Sequence, residues 1–421
     1  MLFLTNLLSF AGVMKSIGGV LLAVAILLVM VTIHEFGHYV AGKILGFKIN
    51  EFSVGFGPAI FKKRSKKTGE LFALRVVPLG GYCAFDGEDE FDDEETSQDE
   101  NKEENEPFQE YIGENAKEDE DPTCAVEQSA DETETLERAN GEDEYPEPKG
   151  ERFNDQPPWK RIIVLVAGAT MNYILALFLI VLMFATFGRP LYQTTVEYPD
   201  GKSPTQTVVE TPLQTGDIIL KIDNRNLYMI TDYIDALDDK KAGEEVPILV
   251  LRDGKETPLT LTLTKDINFV NMSDTNTLLS TLGVYSLHTE TQKEGFFQTI
   301  GSSLAYSVKI GGTVLRSLGE LLTGKLGVDA MGGPITTIKV TSEVASSGLL
   351  SLLNIASFIG VNLAVFNLLP IPALDGCKVI FCLIEWIRKK PVNRKVETII
   401  HLVGIIFLFA FAILVDLLQL F

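Results

Sequence analysis

Two histidines and a glutamate, His34, Glu35 and His38, stand in the order His-Glu-Phe-Gly-His at the end of a long apolar run. Four residues apart on a helix, two imidazoles share one face and can bind a single Zn²⁺, while the Glu between them can act as a base on a water at that metal. The preceding run, Ile17 to Ile33, holds 17 residues with no charge and no proline. At 1.5 Å per residue it covers roughly 25 Å, most of a hydrocarbon core. Ionisable side chains at membrane depth are costly, which makes them functional candidates. Packing alone would be better served there by apolar residues than by two imidazoles.

A catalytic zinc site takes three protein ligands and leaves one position open. Two other histidines exist. His288 falls in a polar region, and His401 starts an apolar span with no motif around it. The better third ligand is Asp375, in the run Asn-Leu-Leu-Pro-Ile-Pro-Ala-Leu-Asp-Gly from Asn367 to Gly376. Pro370 and Pro372 must break the span that carries them, and broken backbone at membrane depth is tolerated only where it lines a cavity in the protein. A carboxylate there is costly unless a cation binds it. The plainer reading makes Asp375 a helix N-cap just past the membrane. Cys377 nearby is either a packed thiol or a further ligand. Cys83, Cys124, Cys377 and Cys382 show no CxxC spacing and no disulfide framework.

Four stretches are long and apolar enough to span a bilayer and so to position these residues: about Gly18 to Leu45, Trp159 to Phe187, Leu349 to Leu369 and Ile399 to Leu420. The N-terminal stretch lacks a basic n-region and is read as retained, not as a cleaved signal peptide. Lys62, Lys63, Arg64, Lys66 and Lys67 follow the first span, and Arg388, Lys389, Lys390, Arg394 and Lys395 precede the fourth. The positive-inside rule puts both clusters in the cytoplasm, and residues 188–348 and both termini on the other side.

The formal net charge of −21 is local. Asp86 to Glu151 hold 29 of the 57 acidic residues against four basic ones, a net of −25, which leaves +4 for the rest of the chain. That balance offers no surface for nucleic acid. The acidic stretch, 86–151, has the composition of a disordered insert. Residues 48–85 form two β-like runs around a basic turn, directly after the His-Glu pair. They read as a membrane-associated hairpin that either presents an edge strand to a substrate or is an ordinary surface hairpin. Residues 195–266 read as a small α+β unit with a helical run near Tyr233 to Leu237 and period-2 strands after it. Residues 295–348 read as a weakly amphipathic, Gly-rich linker ending in Gly-Gly-Pro.

The paired motifs HEFGH and NLLPIPALDG resemble the site-2 protease family of intramembrane zinc metalloproteases, with the bacterial regulator of sigma-E protease type nearest. The resemblance extends to FSVGFGP, PLGGY, AGATMNY, GGPI and to TGDIILKID of a PDZ domain, so it covers nearly all of the chain outside the acidic insert. It implies an α-helical integral membrane protein with four transmembrane helices, a membrane-associated hairpin and an inserted PDZ-like domain. The expected segments are 1–47 (first span), 159–187 (second), 349–376 (third) and 399–421 (fourth). The resemblance also implies zinc ligands His34, His38 and Asp375, Glu35 activating water, and Asn367 and Asn172 near the scissile peptide. Gly168-Ala169 stands where the family has Gly-Pro, and Asp375-Gly376 is followed by Cys377.

On this reading the partners are the lipid bilayer and single-pass membrane proteins, of the anti-sigma-factor or signal-peptide-remnant type. The PDZ-like domain, outside the cytoplasm of a bacterial plasma membrane, would filter or bind their ectodomains. Two other functions remain open from sequence: an inactive membrane scaffold, which would have no use for Glu35, and a metal transporter, which would spread its ligands along a pathway.

Overall fold

A computed structural model describes residues 2–88, 145–197, 211–271, 274–327, 332–345 and 347–420, with side chains from Ile17 onward. Most of the acidic stretch, 89–144, lies outside the described residues. Among the described residues, four helices are long and apolar enough to cross a membrane: Ile17–Leu45, Pro158–Phe187, Leu349–Asn367 and Arg394–Leu418.

The first of these is the apolar end of α1 (Leu2–Leu45). A hairpin follows, β1 (Ile49–Arg64) and β2 (Leu71–Phe85), antiparallel with several register shifts. Its turn is closed by Gly69 N–H to Ser65 O at 2.8 Å and Ser65 N–H to Glu70 O at 2.9 Å. The buried Glu70 carboxylate accepts from Tyr39 and Lys43 of α1, which fastens the hairpin to the metal-motif helix. Both ends of the acidic stretch are built into this unit, so its expected bounds of 86–151 are too wide. Asp86 accepts from Asn50 at 3.0 Å, Phe153 N–H donates to Asp86 O, and Glu151 bridges to Phe47.

Helix α2 (Pro158–Phe187) starts on Pro158, where a missing N–H costs nothing, and ends at Gly188 with φ 101°. It is the hub of the bundle, packed against α1 and against three later helices. Directly after it a six-stranded sheet begins. Its strands are β3 (Arg189–Thr195), β4 (Ile218–Ile222), β5 (Arg225–Asn226), β6 (Glu245–Arg252), β7 (Lys255–Thr262) and β8 (Ser286–Gln292), in the order β7-β6-β4-β3-β8 with β5 paired to β4. All pairs are antiparallel. Helices α3 (Ile230–Leu237) and α4 (Thr275–Leu282) complete a core around Ile219, Tyr233, Leu237, Val250 and Leu282. This unit is larger than the expected 195–266, because β3 and β8 flank it on the chain. Strand β8 reads SLHTETQ, too polar to stand out as a strand.

The expected linker, 295–348, is two helices: α5 (Phe296–Leu322) and α6 (Pro334–Ala345). Lys309 and Arg316 of α5 pair with Asp232, Asp235 and Asp238 of α3 or its end, while Phe297, Leu304 and Val308 face outward. Helix α7 (Leu349–Asn367) then crosses beside α2 and stops at Asn367. The expected third segment, 349–376, is therefore two pieces. A loop through Pro370 and Pro372 leads to α8 (Asp375–Arg388), and α9 (Arg394–Leu420) ends the described chain.

Candidate metal centre

Asp375 is the first residue of α8, and its neighbour Leu374 is the N-cap, with no side-chain capping bond. The carboxylate is therefore not spent on the helix. It is turned to α1, where Oδ2 lies 3.0 Å from His34 Nε2 and 3.4 Å from His38 Nε2; the two Nε2 atoms are 3.1 Å apart. A tetrahedral zinc ion with bonds of about 2.0–2.1 Å spaces its ligand atoms about 3.3 Å apart. The three atoms stand at that spacing, and Oδ2 is buried with no hydrogen-bond donor. Among the described residues these three side chains are the group able to hold a metal ion.

The ring orientations are set from behind. Nδ1 of His38 faces the carbonyl oxygen of Val164 on α2 at 2.8 Å, which fixes the proton on Nδ1 and leaves Nε2 free to coordinate. Nδ1 of His34 is 3.4 Å from the side-chain amides of both Asn172 and Asn367. Asn172 is fully buried and its Oδ1 has no partner. The amide turned over would offer that oxygen to the His34 N–H, as ligating histidines require. Asn172 thus stands fully buried beside His34, where its side-chain oxygen would be placed to orient the imidazole. Asn367, at the end of α7, is only partly buried.

Glu35 lies beside the pair under the hairpin. A Cβ built on Gly81 of β2 would come within 3.2 Å of Glu35 Cγ and 2.8 Å of Ser53 O. Hairpin and acid are therefore in van der Waals contact through a residue with no side chain. Gly168 of α2 does the same for the histidines. A Cβ there would overlap His38 Nε2 and sit 2.8 Å from His34 Cε1. The Gly-Ala pair in the second span is the sequence trace of this approach, but nothing in the chain alone says which residue Gly168 faces.

His288 is exposed on β8 beside Ser286, away from the site. His401 is not grouped with the ligands either, yet it has a structural task. Its Nδ1 accepts from Ala373 N–H at 3.0 Å, holding a loop residue with φ 79°, two positions before Asp375. Cys377 is buried on α8 and also stands outside the metal group.

Comparison with known proteins agrees with this geometry. The sequence model of peptidase family M50 matches residues 22–411. The regulator of sigma-W protease RasP of Bacillus subtilis (strain 168) is 28% identical over 414 residues, covering 90% of this chain and 92% of its own length. The zinc metalloprotease RasP of Bacillus licheniformis is 28% identical over 412 residues, covering 90% and 93%. With two imidazoles, a carboxylate and a neighbouring acid brought together by helices that the family match spans, the chain belongs to peptidase family M50, the site-2 protease family, and is a metalloprotease.

Proposed function

We propose that this chain is an intramembrane zinc endopeptidase that hydrolyses peptide bonds in or near the transmembrane segments of single-pass proteins. The observation that carries the reading is the convergence of His34, His38 and Asp375 next to Glu35. Zinc, when bound by these three ligands, supplies Lewis-acid polarisation of water and of the scissile carbonyl. Glu35 takes a proton from the attacking water as its oxygen adds to the carbonyl carbon, and passes that proton to the departing amine nitrogen. A helical substrate protects its own peptide bonds, so the reacting stretch must first unwind. The hairpin over Glu35 supports capture of that stretch as an added strand, which uses main-chain hydrogen bonds and exposed apolar positions such as Phe56 and Val76.

The sheet domain between residues 189 and 292 takes the part of the PDZ-like domain, filtering or binding substrate ectodomains outside the cytoplasm. The apolar side of α5 supports a place for it along the membrane interface. The basic residues Lys62 to Lys67, around the hairpin turn, and Arg388 to Lys395, where α8 gives way to α9, support a metal centre near the cytoplasmic side of a bacterial plasma membrane. The name of the Bacillus subtilis relative supports substrates of the anti-sigma-factor class. The ligands cluster at one point, which fits hydrolysis better than transport along a pathway.

The test is cleavage of a panel of single-span proteins co-expressed with wild type or with Glu35→Gln. The variant is expected to bind zinc normally and to lose about 10²–10⁴ in turnover, the usual cost of a missing general base. Turnover within about tenfold of wild type would overturn the assignment.

A further inference from the structure

His401 lies about two turns inside the fourth candidate span, where an imidazole is costly unless it has a task. It touches the chain on both sides of Asp375. Its Nδ1 accepts from Ala373 N–H at 3.0 Å, two residues before that ligand. Its ring meets Phe381 of α8 edge-on, with 5.9 Å between centroids, six residues after it. Gly404, one turn further along the same face of α9, makes another contact. A Cβ there would fall 2.3 Å from Pro372 Cβ and 2.9 Å from Pro372 O. The missing side chain lets the helix lie directly on the loop.

The loop has few means of holding its own shape. Pro370 and Pro372 have no N–H to donate. The amides of Leu368 and Leu369 donate back to α7, and those of Ile371 and Leu374 to carbonyls inside the loop. That of Ala373 crosses to His401. Ala373 also has φ 79°, a left-handed conformation that a non-glycine residue keeps only where its surroundings hold it. Without the acceptor this residue relaxes toward negative φ, and the turn that aims Asp375 at α1 opens with it. Cavities of about 320 and 390 Å³ lie beside the contact, one lined by Ala373, His401 and Ile405, the other by Pro372, Val403 and Phe407. The grip on the loop is concentrated at His401 and Gly404 instead of being spread over a packed face.

We propose that His401 and Gly404 are positioning residues of the metal centre. The last helix grips the proline-rich loop through them, and that grip sets where the Asp375 carboxylate stands against His34 and His38. The proposal rests on the reading of those three side chains as zinc ligands. It gives a task to a helix that supplies none of the three and shows most of its side chains to the outside. An imidazole present only for its bulk could be replaced by an apolar residue; an acceptor could not.

The test is zinc affinity of the purified full-length protein, measured against a competing chelator. Hydrogen exchange of the loop in the zinc-free protein is the second readout. His401→Leu removes the acceptor and keeps much of the bulk. It is expected to weaken zinc binding about tenfold, the lower end of what a lost support to a ligand costs, and to speed exchange at Ala373. His401→Asn puts an amide oxygen where Nδ1 now stands and should recover most of both losses. Gly404→Ala adds one methyl group and favours the helix itself, so a weakened zinc site there reports displacement of the loop. It serves if His401→Leu does not fold. Asp416→Asn loosens the far end of α9 and should leave zinc affinity unchanged. Wild-type affinity in His401→Leu and Gly404→Ala would overturn the proposal. So would a loss in His401→Asn or Asp416→Asn as large as in His401→Leu, since the acceptor would then not be what matters. A wild type without affinity for zinc would bring down the ligand assignment itself, and the proposal with it.

Discussion

The carbonyl oxygen of Val164 and Nδ1 of His38 lie 2.8 Å apart across the contact between α1 and α2, with Gly168 one turn further along α2 and closed against the same imidazole. A backbone carbonyl can only accept, so the tautomer of His38 is set by a group that no side-chain substitution removes. Displacing the helix would remove it. Gly168→Val places methyl groups where the imidazoles now sit, and should lower zinc affinity about 10–100-fold. Metal titration of the purified variant checks this. Unchanged affinity would mean that α1 and α2 can separate at no cost to the site.

Loss of a ligand should be more damaging than loss of its support. His34→Ala, His38→Ala and Asp375→Ala are each expected to purify with strongly reduced zinc, measured by elemental analysis against Glu35→Gln as the control that keeps it. If Asp375→Ala retained full zinc and full cleavage, the carboxylate would be a spectator, and Cys377 on the same helix would be tested next.

The sheet domain carries a titratable clamp of its own. Asp217, on a side chain 1% exposed, is pushed up by burial, but two N–H groups of Arg252 at 2.8 and 2.7 Å and the Gln214 N–H at 2.9 Å outweigh this and hold the carboxyl below its usual value. A depressed carboxyl stabilises the fold above its unfolded value and loses that contribution as pH falls through the folded one. Thermal melts of the wild-type protein should therefore fall steeply below about pH 4. Asp217→Asn should lower stability at pH 7 by about 2–3 kcal/mol and flatten that acid limb. A variant melting like wild type at pH 7 and along the acid limb would refute the clamp.

Removing residues 90–143 should leave zinc content and cleavage near wild type. The segment is rich in acid and poor in core-forming residues, and this deletion keeps the Glu88–Lys378 pair and the strand-like contacts of Phe47 with Glu151. A wider cut through Gly150 and Glu151 would remove structured residues and is expected to lower expression. Normal zinc with lost cleavage in the narrow deletion would show that the acidic stretch takes part in turnover.

The chain made some of this legible and concealed the rest for physical reasons. HEFGH could be read because its geometry is local: i and i+4 on one helix fix two imidazoles together. Asp375 could be read because two prolines force a break, and a carboxylate at a break in an apolar run has few uses. Val164 and Gly168 could not, since one acts through its carbonyl and the other through having no side chain, and both face residues about 130 positions away. Helix α5 looked like a linker because its glycines weaken the helical pattern; ion pairs from Lys309 and Arg316 to α3 hold it, and those are tertiary. His401 was set aside as a ligand, and its bond to Ala373 belongs to a loop whose path the sequence does not reveal.

Asp416 sits near the far end of α9 and is 8% exposed. Its carboxylate accepts from Ile335 N–H at 3.0 Å and from Thr336 N–H at 3.3 Å, at the start of α6. With Arg394 paired to Glu385 and His401 bonded to Ala373 near the other end, α9 is moored by polar contacts at both ends, while most of its length shows apolar side chains to the outside. Such moorings tighten as their surroundings dry and slacken when water reaches them. The hold on this last helix is thus a gauge of how well its solvent imitates a bilayer, and short-chain detergents should loosen it before they disturb the three helices that carry the metal ligands and their supports.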